Sequence, residues 1–204
     1  MSRLDELMIG YLVNRPEGIT GLGGLACDYI LAGNGLYIQA ESRFLRGAVP
    51  VMKRRFRGLA DLTEPALVLA NGRIPCSLFD LALSVMLARP ETEVYTAICY
   101  DGSGYRLVIP EQTATGTRVE YSNPENVVLD FHSHGLIGPG FSSQDDRDEQ
   151  GLRLYGVAGD LGDELPAVNF RLGVYGNFLP LRWTDIFEGE PNGFTDTAAP
   201  GGGV

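Results

Sequence analysis

Residues 127–145 read VVLDFHSHGLIGPGFSSQD. The apolar run over residues 127–131 is typical of a buried β-strand. Residues i and i+2 of a strand point to the same face, so the imidazoles of His132 and His134 can converge on one ion. The glycines and the proline of residues 135–140 then predict a tight, irregular loop. Such a loop can bring Asp145 back towards the two histidines.

Two imidazole nitrogens and one carboxylate oxygen form the ligand set of a catalytic zinc site, in which a fourth position is left for water. Neutral imidazole and carboxylate also suit zinc better than magnesium or calcium. The same segment has a purely structural interpretation, because Ser142 and Asp145 have the spacing of a helix-capping box. The two interpretations are compatible, since a capped helix start is a rigid place to hold a ligand. The chain has no histidine besides this metal-binding pair, so a Ser-His or Cys-His mechanism is excluded.

The composition is that of an ordinary globular protein. The 204 residues are 44% hydrophobic and carry a formal net charge of -10, which predicts one well-filled core and argues against general nucleic-acid binding. No apolar run has the length of a membrane span, and residues 1–6 do not resemble a signal peptide. The three scattered cysteines are typical of reduced thiols. We therefore expect a cytoplasmic protein that binds neither membranes nor nucleic acid.

Residues 1–70 are rich in glycine and short apolar runs, which predicts a β-rich N-terminal extension. Residues 28–32 and 36–40 flank Gly33-Asn34-Gly35, a hairpin signal, and Asn71-Gly72 gives a second signal between residues 66–70 and 73–74. The basic residues 53–57 form either a solvated face or a docking patch for an acidic partner. The pattern Gly21-x-Gly23-x-x-Ala26 loosely fits a dinucleotide-binding fingerprint. A hairpin rather than a helix is predicted after it, which favours a simple glycine-rich loop.

Residues 71–188 are predicted to form the main domain. A helix is predicted over residues 75–88 from the spacing of Leu78, Leu81, Ala82 and Val85, with Phe79, Leu83 and Met86 beside them. A capping box of Ser77 and Asp80 is predicted at its start. Strands are predicted over residues 93–100, 105–109, 117–121, 127–132, 152–158 and 168–175. The composition changes near Gly189, which predicts a disordered tail over residues 189–204.

The spacing His132-x-His134-x7-Ser142-x-x-Asp145 resembles the signature of the JAMM (JAB/MPN) zinc metalloprotease superfamily at every motif position. The resemblance extends over residues 75–183, and the pattern of the whole chain is similar to the PRTRC system protein A family of bacterial JAB-type proteins. It implies an α/β fold in which a mixed, curved β-sheet is flanked by helices, here with an N-terminal β-rich extension. Thr96 and Gly135 stand where many members have glycine and proline.

The resemblance also implies roles for the site residues. His132, His134 and Asp145 would bind Zn²⁺, and a glutamate that opens the strand after the first core helix would contact the water on the zinc. Glu93 matches that position, and Glu91, directly after Pro90, is the competing candidate. The glutamate would act as general base and then as general acid. We expect Ser142 to donate a hydrogen bond to the developing oxyanion.

The implied reaction is hydrolysis of a peptide or isopeptide bond at the tail of a ubiquitin-like or sulfur-carrier protein. Bacterial relatives often work beside a ThiF-like adenylating enzyme, which is therefore an expected partner. The alternative is a non-catalytic MPN-type scaffold or binding module, although inactive relatives usually lose metal ligands that this chain retains. A zinc deaminase would need a downstream Pro-Cys-x-x-Cys, which is absent, and phosphoesterases generally need more than two histidines.

Overall fold

The computed structural model describes residues 8–115, 118–121, 124–190 and 192–198. The chain forms two compact units. The first comprises Met1–Ala70 with the short segments Gln150–Leu152 and Gly173–Leu179, and the second comprises Asn71–Glu149, Arg153–Leu172 and Pro180–Val204. Each of the two large sheets contains both parallel and antiparallel pairs, and helices are few. The predicted mixed α/β class is therefore confirmed.

The first unit contains one six-stranded sheet. Its strands are β1 (Ile9–Arg15), β2 (Gly18–Leu22), β3 (Cys27–Ala32), β4 (Gly35–Glu41), β5 (Leu45–Lys53) and β6 (Leu67–Leu69), in the spatial order β2-β1-β3-β4-β5-β6. β1 and β3 are parallel, and the other neighbours are antiparallel. The first predicted hairpin is confirmed, because β3 and β4 pair directly across Gly33 and Asn34.

Two other interpretations of this region are corrected or resolved. The hairpin predicted around Asn71-Gly72 is wrong, because β6 pairs with β5 while Ile74 forms a bridge with Phe187 and is fully buried there. Burial against a distant segment outweighs the local turn signal.

The glycine-rich stretch near Gly21 leads into β3 and not into a helix, which excludes the dinucleotide fingerprint. Within the basic cluster, Arg55 pairs with Asp61 at 2.8 Å, and the docking role stays a prediction.

The second unit holds the motif strand near the middle of a mixed sheet. The elements that follow residue 71 in the chain are α1 (Cys76–Leu87), β7 (Tyr95–Tyr100), β8 (Tyr105–Val108), β9 (Gln112–Thr115), β10 (Arg118–Tyr121), β11 (Val127–Ser133), α2 (Ser143–Asp148), β12 (Arg153–Gly159), β13 (Ala167–Val174), β14 (Asn177–Leu181), α3 (Trp183–Ile186) and β15 (Thr195–Asp196). The sheet order is β14-β13-β12-β11-β7-β8, and β9 pairs with β10 separately. β11 runs parallel to β12 and antiparallel to β7. All six strands predicted for this region are confirmed, with ends shifted by up to two residues; residue 117 lies outside the described residues.

The predicted helix is confirmed as α1, but its predicted cap is wrong. Pro75 is the N-cap, and no side chain caps the helix start. The backbone N–H of Leu78 donates to the carbonyl of Pro75 at 3.1 Å, so the chain is already helical at Ser77, where a cap would need an extended backbone. Pro75, with a ψ of 131°, instead has the extended backbone of an N-cap, so the helix begins at Cys76.

The buried face of α1 is formed by only part of the apolar residues whose spacing predicts the helix. Phe79, Ala82, Leu83 and Met86 are buried, whereas Leu81 is 51% exposed. Phe79 determines this orientation, because its ring lies at the centre of an aromatic core. Ring centroids at 4.7 to 6.2 Å from that of Phe79 belong to Phe131, Phe170, Trp183, Phe187 and Phe194.

The predicted disorder of residues 189–204 is wrong for residues 192–198. β15 pairs in parallel with β13, and the backbone N–H of Trp183 donates to the carboxylate of Asp196 at 2.7 Å. Phe194 joins the aromatic core, so burial of its ring orders a segment whose composition suggests disorder. Residues 191 and 199–204 lie outside the described residues. None of the helices in the described ranges is long and apolar enough to cross a membrane.

Candidate metal centre

The two histidines lie at the end of β11. His132 is paired with Tyr95 of β7 on one side and with Val157 of β12 on the other. The backbone N–H of His134, just past the strand, donates to the carbonyl of Ala158 at 2.7 Å. The backbone of both residues is therefore held by the sheet, and the predicted convergence is observed: the two Nε2 atoms are 3.1 Å apart.

Asp145 lies in the first turn of α2, and the predicted capping box is confirmed. The Ser142 hydroxyl accepts the backbone N–H groups of Gln144 and Asp145, both at 3.2 Å, while Asp145 Oδ2 accepts the N–H of Ser142 at 2.5 Å. The same carboxylate faces the histidines. Its Oδ1 is 3.3 Å from His132 Nε2, and its Oδ2 is 3.6 Å from His134 Nε2. One side chain therefore serves both the cap and the site.

The three side chains have the geometry of a metal-ligand set. With ligand bonds of 2.0–2.2 Å, the donor atoms of a tetrahedral zinc site lie about 3.3–3.6 Å apart. The two Nε2 atoms are 3.1 Å apart, and each lies 3.3 or 3.6 Å from a different oxygen of Asp145, so all three distances are close to this spacing. Between 14% and 20% of each side chain is exposed, so the cluster is sheltered yet reachable from solvent. These residues can hold a metal ion.

The charges of the site also favour a cation. Burial tends to raise the pKa of Asp145, but hydrogen bonds and charge from His132 and hydrogen bonds from Ser142 outweigh it and hold this pKa well below its usual range. Burial, together with the neighbouring His132, lowers the pKa of His134, although Asp145 and Glu93 oppose the shift. At neutral pH the site therefore presents an ionised carboxylate and a neutral imidazole, the forms that bind metal.

Glu93 is positioned by direct bonds between its neighbour and the motif strand. The backbone N–H of Val94 donates to Ser133 Oγ at 3.0 Å, and the backbone N–H of Ser133 donates to the carbonyl of Val94 at 2.9 Å. Glu93 is half-buried and close enough to act electrostatically on His134, whereas Glu91 is exposed. The regular strand β7 begins at Tyr95, two residues later than predicted, because the Ser133 side chain forms one of the bonds that a backbone carbonyl would form in a ladder.

The loop after His134 requires glycine at its first position. Gly135 has φ +63°, and a Cβ there would lie 2.7 Å from the carbonyl oxygen of Pro90. Proline, which fixes φ near -65°, could not adopt this conformation. The backbone of Ile137 is hydrogen-bonded to His134 and Asp160. Leu136 and Ile137 are nevertheless 60% and 74% exposed, so two large apolar side chains stand in solvent beside the site.

The other unusual position, Thr96, also has a structural explanation. Its side chain is fully buried, and its hydroxyl donates to the backbone carbonyl of Phe131 at 2.9 Å. The polar atom is satisfied by the strand that carries the motif. Thr96 therefore ties β7 to β11 one residue from His132.

The sequence analysis does not predict the ionic cluster that links β13 to α2 and to the C-cap of that helix. Arg171 of β13 is buried, donates to Glu149 at 2.6 and 2.8 Å and pairs with Asp146 at 2.6 Å. Its guanidinium carbon lies 3.8 Å from the ring centroid of Phe141. Burial raises the pKa of Glu149 to about 7, while the charge and hydrogen bonds of Arg171 oppose this shift. The sequence does place one charged residue, Arg171, within the apolar strand β13. Such a residue is seldom buried without a partner, so its position could have predicted an ion pair.

A second missed network lies on β11 itself. The carboxylate of Asp130, two residues before His132 and on the same face, accepts hydrogen bonds from the hydroxyl of Tyr95 and from Arg153. The pairing with Arg153 is a salt bridge of 2.5 Å. These contacts link three neighbouring strands beside the site.

No protein-family model matches this chain, and no curated protein matches it in sequence. Any functional assignment therefore depends on the geometry and chemistry of the centre formed by His132, His134 and Asp145.

Proposed function

We propose that the protein is a zinc-dependent peptidase or isopeptidase of the JAMM type, similar to PRTRC system protein A and built on the JAB/MPN fold. The observation that carries the proposal is the cluster of His132, His134 and Asp145, whose candidate ligand atoms all lie within 4.8 Å of one another. Two imidazole nitrogen donors and one carboxylate suit zinc, and three protein ligands are the number found in catalytic zinc sites.

A bound zinc ion would supply Lewis acidity, which lowers the pKa of water to about 7 and polarises a carbonyl. The chain itself must then move the proton. Glu93 is the group suited to accept the proton of the attacking water and to return it to the leaving amine, because its carboxylate is half-buried beside His134. Glu91 is exposed and lacks the positioning that the bonds between Val94 and Ser133 give to Glu93.

Ser142 is suited to stabilise the oxyanion that develops on the substrate carbonyl. Its oxygen accepts the two capping bonds, which leaves its O–H free to donate. The exposed position of Ser142 at the start of α2 makes this hydrogen available to a substrate.

Replacing Ser142 by alanine is expected to lower kcat by roughly 10²–10³-fold, because an oxyanion donor is lost. Loss of the cap would also destabilise the protein by about 1 kcal/mol. Ser142→Thr is the matched control, because threonine can both cap and donate. Steady-state kinetics and melting curves separate the two effects: an alanine variant that loses stability but keeps its kcat would show that Ser142 is a cap alone.

The substrate class that we propose is a ubiquitin-like or sulfur-carrier protein, cut at its extended C-terminal tail. A narrow tail can reach a half-buried site that a folded domain cannot enter. The exposed Leu136 and Ile137 offer apolar surface beside His134 for such a segment. A ThiF-like adenylating enzyme is a proposed partner, since it would act on the same tail. A pulldown from the native cell that recovered neither protein class would count against these partners.

Exchanging Leu136 and Ile137 together for serine is expected to raise KM by at least roughly tenfold, because each side chain would lose apolar contact worth about 1 kcal/mol or more with the substrate. The value of kcat should stay near that of the wild type, since neither side chain is placed to touch the reacting atoms. Leu87→Ser, on the exposed side of α1, is the matched control. An unchanged KM in the double variant would remove these residues from the substrate surface.

The proposed activity is tested with the zinc-loaded protein and a panel of ubiquitin-like and sulfur-carrier proteins extended by a reporter peptide. Mass spectrometry should show cleavage at the junction, loss of cleavage after treatment with a zinc chelator and recovery when zinc is restored. The same panel with the tail deleted is the control. A zinc-loaded protein that binds these proteins but cleaves none of them would favour the non-catalytic scaffold.

A further inference from the structure

The helix that carries Asp145 cannot hold its own position. α2 has six residues and no buried side chain. Isolated helices shorter than about 12 residues are marginal in water, and most helical stability in proteins comes from a packed apolar face. A functional group, however, has to be held within about 0.5 Å of its productive position. Contacts from outside α2 must therefore supply the rigidity.

Arg171 supplies contacts on both sides of Asp145. On the C-terminal side, its guanidinium donates to Glu149 at 2.6 and 2.8 Å and to Asp146 at 2.6 Å. On the N-terminal side, the same group stacks over Phe141, the residue before the cap Ser142, at 3.8 Å. One side chain thus binds the segment at three points.

Arg171 is itself a rigid support. Its side chain is 8% exposed and projects from β13, a strand paired within the sheet. The planar guanidinium can engage two carboxylates and stack on a ring at once, which the single ammonium of lysine cannot do. The Glu149 side chain is 10% exposed, so this contact is shielded from solvent, and removing Arg171 would leave a buried carboxyl group without its partner.

We infer that Arg171 is a positioning residue of the metal centre, which holds residues 141–149 against β13 and thereby fixes the Asp145 carboxylate opposite the two histidines. The inference rests on the proposed function for the identity of the metal, but it does not depend on the reaction. The contacts of Arg171 described above are made with Phe141, Asp146 and Glu149, so its effect on the centre is exerted through α2.

The test is a double-mutant cycle on zinc affinity, measured by competition with a chromophoric chelator. Arg171→Met is expected to weaken zinc binding about 10–100-fold, the usual effect of losing a group that orients a ligand. In the Asp145→Ala background, where two histidines still bind weakly, the same change should alter affinity by less than about twofold, because the ligand that Arg171 positions is gone. Arg171→Lys should restore part of the affinity.

A second readout does not need zinc. Rapid hydrogen–deuterium exchange of the metal-free protein should show lost protection of residues 145–149 in Arg171→Met, while β11 keeps its protection. Arg153→Met, which breaks the salt bridge to Asp130, is the control for losing a partly buried arginine and should leave α2 unchanged. If Arg171→Met does not fold, Arg171→Lys carries both measurements, with smaller effects in the same direction.

Two results would overturn the inference. One is a folded Arg171 variant with wild-type protection of α2, and the other is an equal loss of zinc affinity with and without Asp145. Failure of the proposed function gives a different result: no tailed substrate would be cleaved, while the exchange experiment would still report whether Arg171 holds α2.

Discussion

Zinc content is expected to fall from about one ion per chain to near zero when His134 is replaced by alanine, and hydrolysis should disappear with it. His134 provides one of the three protein donors that the described residues bring together, and the chain has no other histidine besides His132 to replace it. Its lowered pKa keeps the imidazole neutral at neutral pH, so the wild-type site does not have to release a proton from this residue before it binds the ion.

This prediction is checked by elemental analysis of the natively purified and the zinc-reconstituted proteins. His132→Ala is the matched variant and should behave in the same way. Circular dichroism of the metal-free forms controls for folding, since the backbone of both residues is held by β7 and β12. A wild-type protein without zinc after reconstitution would end the hydrolase proposal and leave a metal-free scaffold.

Replacing Glu93 by glutamine is expected to lower kcat by about 10²–10⁴-fold, the range for losing a general acid–base group, while zinc content stays near that of the wild type. Glutamine keeps the size and polarity of the side chain but cannot accept the proton. Glu93 is not among the three donors of the cluster, so the ion should remain bound.

Glu91→Gln is the matched control for this prediction, because Glu91 lies two residues earlier and is exposed. Its kinetics should match the wild type. A reversed result, in which the Glu91 variant loses turnover and the Glu93 variant does not, would transfer the role to Glu91. Loss of zinc in the Glu93 variant would instead make Glu93 part of the metal site.

The features that the sequence predicts correctly depend on neighbouring residues. The motif strand β11, the helix α1, the hairpin of β3 and β4 and the capping box at Ser142 follow from periodicity, turn residues and short spacings. The cluster of His132, His134 and Asp145 belongs to this group, because a strand end, a glycine-rich loop and a helix start all lie within 14 residues of one another. Local backbone geometry therefore nearly suffices to bring these side chains together.

Other features depend on partners that are distant in the chain. The buried face of α1 is set by aromatic rings as far away as Phe194, and β15 is ordered by pairing with β13. Arg171 and Glu149 are 22 positions apart in the sequence, and a contact over this separation cannot be predicted from the spacing of neighbouring residues.

The sequence by itself thus determined which residues form the candidate centre, because strand alternation and helix capping are properties of short segments. Only the tertiary structure decided which face α1 buries, how Glu93 is placed beside His134 and which side chain holds α2 in position. These outcomes depend on which apolar surfaces and charges meet after the chain has folded, since burial strengthens an ion pair and selects a helix face irrespective of separation along the chain.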